Sequence, residues 1–136
     1  MAFVRQRGLA VIATRGQDGA PQAALIGVAA TDEAEIVFDT TRSSRKFCNI
    51  VADPGVSLVV GLDEVTVQVE GVADLPLGEE LRRCTDAYFA QYPDGRERAK
   101  DPDIVHFRVR LTWLRYSDYR PDSFTIEENR VTPPSV

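Results

Sequence analysis

The chain has 136 residues, 43% hydrophobic and 27% charged, with a formal net charge of −5. That is one domain of ordinary globular composition, large enough to bury a core without cross-links. The acidic balance excludes a general nucleic-acid binder, which needs a broad basic face, and no apolar run reaches the length of a membrane span.

The two cysteines, Cys48 and Cys84, provide neither a disulfide framework nor a zinc motif. Both fall in helical segments and are expected as small buried hydrophobes. The opening "MAFVRQRGLAVIATRG" has a short apolar run without a cleavage-type region, so no signal peptide is expected and the reading is a reduced, cytoplasmic protein.

In chain order, Leu9 to Arg15 reads as a strand, "GQDG" as a hairpin turn and Gln22 to Ala30 as a second strand. A third covers Ile36 to Asp39. The period then changes: Phe47, Ile50 and Val51 fall on one helical face across Ser44 to Ala52. Ser43 or Ser44 is suited to cap that helix, and "DPG" at Asp53 to Gly55 ends it. Val56 to Gly61 is a fourth strand. Val65 to Val72 alternates cleanly, with Val65, Val67 and Val69 on one face and Thr66, Gln68 and Glu70 on the other.

A helix follows from Leu77 to Tyr92, with a stripe of Leu77, Leu81, Cys84 and Tyr88 that Phe89 and Tyr92 widen. "YPDGRERAKDPD" reads as a polar loop. From Val105 to Trp113, Phe107, Val109, Leu111 and Trp113 share one face, and His106, Arg108, Arg110 and Thr112 the other. The tail is expected to be irregular, with a short strand around Phe124 to Ile126. Strands dominate, and the helices do not alternate with them, which argues against a doubly wound parallel sheet. The expected fold is mainly β: a six-stranded antiparallel split barrel with two or more helices covering its openings.

The junction "VFDTTRSSRKFCNI" carries the chemical signal. A helix N-terminus has unpaired N–H groups and partial positive charge, so Arg42, Arg45 and Lys46 oppose it. A bound phosphate would resolve that conflict. The other reading is a capped helix start with solvated cations. The glycines of a P-loop are absent.

Taken with "ADPGVSLVV" and "VTVQVEGVADL" at their spacing, this segment resembles the pyridoxamine 5'-phosphate oxidase-like family of FMN-binding split barrels. "WLRYSDY" resembles that family's last core strand, and the resemblance runs over most of residues 5 to 120. It implies a cofactor-binding domain over residues 1–120 and a C-terminal extension over 121–136. It implies that Thr40 and Thr41 contact the FMN phosphate or the flavin edge, that Arg45 and Lys46 bind the phosphate, and that Ser44 and Asn49 assist. It further implies a homodimer with the flavins at its interface, where Thr66 and Gln68 of a second subunit approach the same cofactor. The implied activity is hydride transfer to or from a small organic substrate. Deazaflavin coenzyme F-420 in the same groove, or non-catalytic flavin or haem binding, are the alternatives.

Two departures weigh against oxidation of pyridoxamine phosphate itself. Gln22 to Ala30 contains no Arg or Lys, and the chain ends "ENRVTPPSV" in place of an arm rich in Arg, His and Trp. His106 is the lone histidine, expected as a surface or partly satisfied residue before a proton donor. Trp113 and Tyr116 could cover a flavin ring, with core packing favoured for Trp113. Arg108 and Arg110 form either a solvated face or a second anion-facing patch. No metal site is expected, since ligands at suitable spacing are lacking. No nucleophile elbow appears, and a Ser-His-Asp hydrolase would have to use His106.

Overall fold

In this computed structural model, which describes residues 1–132, the alternating patterns of the sequence become one curled antiparallel sheet. The elements are α1 (Ala2–Arg7), β1 (Leu9–Arg15), β2 (Pro21–Gly27), β3 (Ala29–Ala30), β4 (Glu35–Thr41), α2 (Arg45–Ala52), β5 (Gly55–Val60) and β6 (Val65–Asp74), then α3 (Gly78–Gln91), α4 (Gly95–Arg98), β7 (Ile104–Asp118) and β8 (Thr125–Arg130). The strand order is β2-β1-β5-β6-β7-β4-β3, with β8 added to β7. The two ends of that order, β2 and β3, are separated in the chain only by the buried Val28, so the chain itself draws the sheet into a half-barrel. The mainly β, antiparallel class is as expected. Eight strands stand where six were counted, because the second strand breaks at Val28 and the tail contributes β8. Of the expected extension 121–136, residues 133–136 lie outside the described residues.

The barrel interior collects Ile12 from β1, Ile36 and Phe38 from β4, Val60 from β5, Val69 from β6, and Phe107 and Val109 from β7. Phe38 and Phe107 are register partners whose rings stack at 5.5 Å. Phe47 of α2 tilts onto Phe107 at 5.9 Å, and Ile50 is fully buried, which seats α2 on the barrel mouth. Burying each such side chain contributes about 1.5–3 kcal/mol. Val51, expected on the same stripe, is exposed.

α3 covers the other side of β4 and β7, so these strands are buried on both faces. That corrects the reading of His106 and Arg108 as an outward polar face. His106 packs between Tyr88 (5.3 Å) and Phe89 (5.6 Å). Arg108 donates two hydrogen bonds to Asp74 (2.9 and 2.8 Å) and one to Glu80 (2.7 Å). Arg83 of α3 completes the network with Glu35 (2.6 Å) and Glu80 (2.6 Å). Charges this deep are tolerated because each is paired and hydrogen-bonded. Leu77, expected to start the α3 stripe, instead precedes the helix and is 81% exposed. Cys84 is buried as expected, but Cys48 lies on the solvent side of α2.

A bulge explains the misplacement of Trp113. Glu70 pairs with Trp113 and Gly71 with Leu111, leaving Thr112 as an extra residue on β7. Gly71 is required there, since a Cβ would come within 2.6 Å of the Arg110 carbonyl oxygen. Past the bulge the inward parity switches to Leu114 and Tyr116, and Trp113 turns to the outer face beside Val59 and Gln68. The helices α1 and α4 were not expected. Both are short, and α1 is closed by Gly8, whose φ of 67° is left-handed and whose N–H donates to the Val4 carbonyl (2.8 Å).

Candidate functional site

β4 delivers the hydroxyl cluster to the start of α2. Ser44 is the N-cap: its Oγ accepts from the Phe47 N–H (3.1 Å) and from the Thr40 hydroxyl (2.9 Å). Thr40 is itself buried, so its hydroxyl props the cap and is not offered outward. The Ser43 hydroxyl lies between Thr41 Oγ1 (3.2 Å) and Asp103 Oδ2 (3.1 Å), and the Arg42 N–H donates to the Asp103 carbonyl (2.8 Å). The loop before β7 therefore pins the junction. Arg42 places its guanidinium 5.8 Å from the Phe47 ring centre.

The first turn of α2 holds no acidic residue. The N–H groups of Arg45 and Lys46 have no acceptor within the helix. Among the described residues neither side chain forms an ion pair, although most other arginines of this acidic chain do. Both line a cleft of about 260 Å³ with Ile12, Thr14, Gln22, Ala23 and Ala24, at the barrel mouth between α2 and the β1–β2 hairpin. Two unneutralised cations, two free N–H groups and an apolar floor suit a phosphate ester with an organic body. The residues present therefore fit the phosphate end of a flavin nucleotide.

Asn49 does not reach into this cleft. It is buried, and its Nδ2 donates to Thr14 Oγ1 (3.1 Å) and Gln22 Oε1 (2.9 Å). Thr14 and Gln22, which line the cleft, were missed from sequence. Their signal was faint: polar residues set in otherwise apolar strands. Thr66 and Gln68 lie elsewhere. They are on the outer face of β6, opposite Ser117 and Arg115, and Gln68 lines a separate depression with Val11, Ala13, Ser57, Val59 and Trp113. Six of the eight expected residues thus gather at the α2 junction, and these two do not.

A larger cavity of about 590 Å³ lies between α1, the β3–β4 turn and α3. Its cations are already paired, Arg5 with Asp32 (2.8 Å) and Arg83 with Glu33 (3.4 Å) and Glu35, which leaves Asp86 as the unpaired charge of its lining among the described residues. Oxygens of Glu33, Glu35 and Glu80 approach within 4.8 Å of one another, but Arg83 and Arg108 neutralise them. Burial holds His106 below its ordinary pKa, and its Nε2 has no partner among the described residues. Enclosed by Tyr88 and Phe89, it is not among the residues that line the α2 cleft.

A curled antiparallel sheet with a cationic helix start at its mouth defines a half-barrel protein whose cleft is edged by two unpaired cations. The chain belongs to the pyridoxamine 5'-phosphate oxidase family, whose model matches residues 1–118. It is 36% identical over 86 residues to a pyridoxine/pyridoxamine 5'-phosphate oxidase of Burkholderia multivorans, a match covering 62% of this chain and 38% of that protein. Among solved structures it resembles a conserved hypothetical protein of Mycobacterium tuberculosis (TM-score 0.73, 26% identity, 88% of this chain and 82% of that one). It also resembles a haem-binding protein of Mycobacterium smegmatis (TM-score 0.79, 18% identity, 96% and 58%), a likeness of fold. Among the described residues no helix is long and apolar enough to cross a membrane.

Proposed function

We propose that this chain is an FMN-binding oxidoreductase that holds the cofactor phosphate at the start of α2. The observation that carries the reading is the pair of unneutralised cations, Arg45 and Lys46, beside free helix N–H groups at the edge of a partly apolar cleft. Side by side at a helix start whose first turn has no acidic residue, these two cations suit an anion that arrives from outside. When bound, FMN would supply hydride chemistry at its ring system. The chain's own task is positional. Ser44 fixes the first turn, Arg45 and Lys46 neutralise the phosphate, and Ile12 and Ala24 keep water from one side of the body.

The dimer is part of this proposal. Leu9, Leu25 and Val72 are exposed on the outer sheet face that also carries Val59 and Trp113. A second copy packed there would cover this apolar surface and give Thr66 and Gln68 a route to the partner's cofactor. The activity, the small-molecule substrate and the division into a 1–120 domain and a tail are inferred on the same footing. Deazaflavin coenzyme F-420 is the alternative occupant of the cleft. Haem is less favoured here, because the lone histidine is enclosed under α3 and a haem iron would need a different ligand.

The test is titration with FMN, read by quenching of flavin fluorescence. Arg45→Ala and Lys46→Ala should each weaken binding at least tenfold, the scale of one lost charge-assisted contact of about 1.5–3 kcal/mol. Unchanged affinity in both variants would remove the phosphate from this junction.

A further inference from the structure

We propose that the groove on the outer sheet face beside the β6–β7 bulge is a second binding site, where Glu70 and Trp113 select an organic cation, an ammonium or guanidinium group on a small body. The site itself stands without the phosphate assignment. Only its link to turnover rests on that reading.

The pairing register sets the residues side by side. Ala13 of β1 is opposite Ser57 of β5, Ser57 is opposite Glu70 of β6, and Glu70 is opposite Trp113 of β7. Residues directly opposite share a face, with Cβ atoms about 4.5–5.5 Å apart, so the four form one row across the outer surface. Two depressions of about 300 and 330 Å³ meet along that row and share Ala13, Ser57 and Glu70. The small side chains of Ala13 and Ser57 keep the floor low, and the half-buried Trp113 stands beside it.

The Glu70 carboxylate is exposed and has no ion pair or hydrogen bond among the described residues; the Thr112 hydroxyl donates instead to the Glu70 carbonyl (3.2 Å). It is the one charge lining the first depression among the described residues. In the second, Arg15 is taken by Asp53 (2.8 Å). Arg115 and Arg130 share this face, opposite Gln68 and Trp113, but line neither depression. Phe3, Phe47 and Phe89 each have a guanidinium over the ring, whereas none of the described cations covers the indole of Trp113. A carboxylate only accepts, and the face of an indole carries negative potential. Both favour a positive group, and the low floor admits its methyl or methylene substituents. An anion is repelled by Glu70, and a neutral body gains nothing from its charge. With the second copy proposed for this face in place, the groove would become a pocket between the copies, and the cation names the class of substrate offered to the partner's cofactor.

Trp113 is the only tryptophan of the chain, so its fluorescence reports this groove alone. Choline and its neutral isostere 3,3-dimethylbutan-1-ol are the probes, titrated at constant ionic strength. Choline should change the emission saturably, and the alcohol should bind about tenfold more weakly. Glu70→Gln keeps the size of the side chain and removes its charge. It should weaken choline about tenfold and leave the alcohol unchanged. Glu128→Gln, which alters an exposed carboxylate opposite Arg115, should affect neither probe. No saturable response to choline in the parent protein would overturn the inference, as would choline affinity in Glu70→Gln within twofold of the parent. Equal weakening by Glu128→Gln would also overturn it, by reducing the effect to general surface charge. The FMN titrations of Arg45→Ala and Lys46→Ala decide the phosphate assignment separately.

Discussion

Replacing Ser44 by Ala removes one acceptor that serves two donors, the Phe47 N–H and the Thr40 hydroxyl. Loss of an N-cap costs about 1 kcal/mol. Thr40 is 8% exposed, so its hydroxyl is left buried without its acceptor, at about 1 kcal/mol more. The sum of about 2 kcal/mol should lower the melting temperature by about 8 °C for a domain of this length. Ser44→Asp keeps an acceptor for both donors and adds a favourable charge at the helix start, so stability should hold within about 0.5 kcal/mol. The same carboxylate would face an incoming phosphate. At about 5 Å and an effective dielectric near 20, the repulsion is about 3 kcal/mol, roughly a hundredfold in Kd. Urea denaturation of the ligand-free protein and FMN titration measure the two effects separately. A loss below about 0.5 kcal/mol in Ser44→Ala would refute the capping arrangement. Full FMN affinity in Ser44→Asp would refute the placement of the phosphate in front of it.

Further outcomes follow from the α3 side and the outer face. Arg108→Met removes a buried cation shared by Asp74, Glu80 and Glu35; the first two are near enough to solvent to rehydrate, so the loss in urea should be about 3 kcal/mol, and a loss under 1 would show the network to be dispensable. His106 is held below its ordinary pKa by burial, so the unfolded chain binds the proton first as pH falls. Its contribution to stability should then decline from about pH 6.5 downward, until the folded-state pKa is reached. His106→Phe should flatten that part of the urea midpoint against pH, and an unchanged slope would contradict the burial of the ring. Leu25, 60% exposed on the outer face, should matter for assembly: sedimentation of the parent protein should give twice the chain mass, and Leu25→Asp should shift it toward the single chain.

Much of the fold was legible because local pattern and tertiary outcome agree. β1 spans Leu9–Arg15 as read, and α2 begins one residue after its Ser44 cap and ends before Pro54. Val65, Val67 and Val69 face inward as their alternation requires. The failures arise where a distant element overrides the local pattern. Polar alternation at His106 and Arg108 indicates solvent until α3 is laid across it. Trp113 shares a face with Leu111 in an ideal strand, and one extra residue at Thr112 reverses that parity. Gly71 was the available hint, since a glycine inside a clean strand marks a bulge or a close approach. At the site, the cations and hydroxyls were visible because they are contiguous in sequence. Thr14 and Gln22 were not, because only Asn49, far along the chain, gives them a chemical role.

The central claim is that the α2 cleft holds FMN, and the visible absorption spectrum of the freshly purified protein tests it most directly. The account predicts a flavin band that moves into the filtrate when the protein is denatured, or that appears in stoichiometric amount when the colourless protein is mixed with FMN. A protein that takes up no FMN, and instead shows a haem band or binds deazaflavin coenzyme F-420 alone, would contradict it.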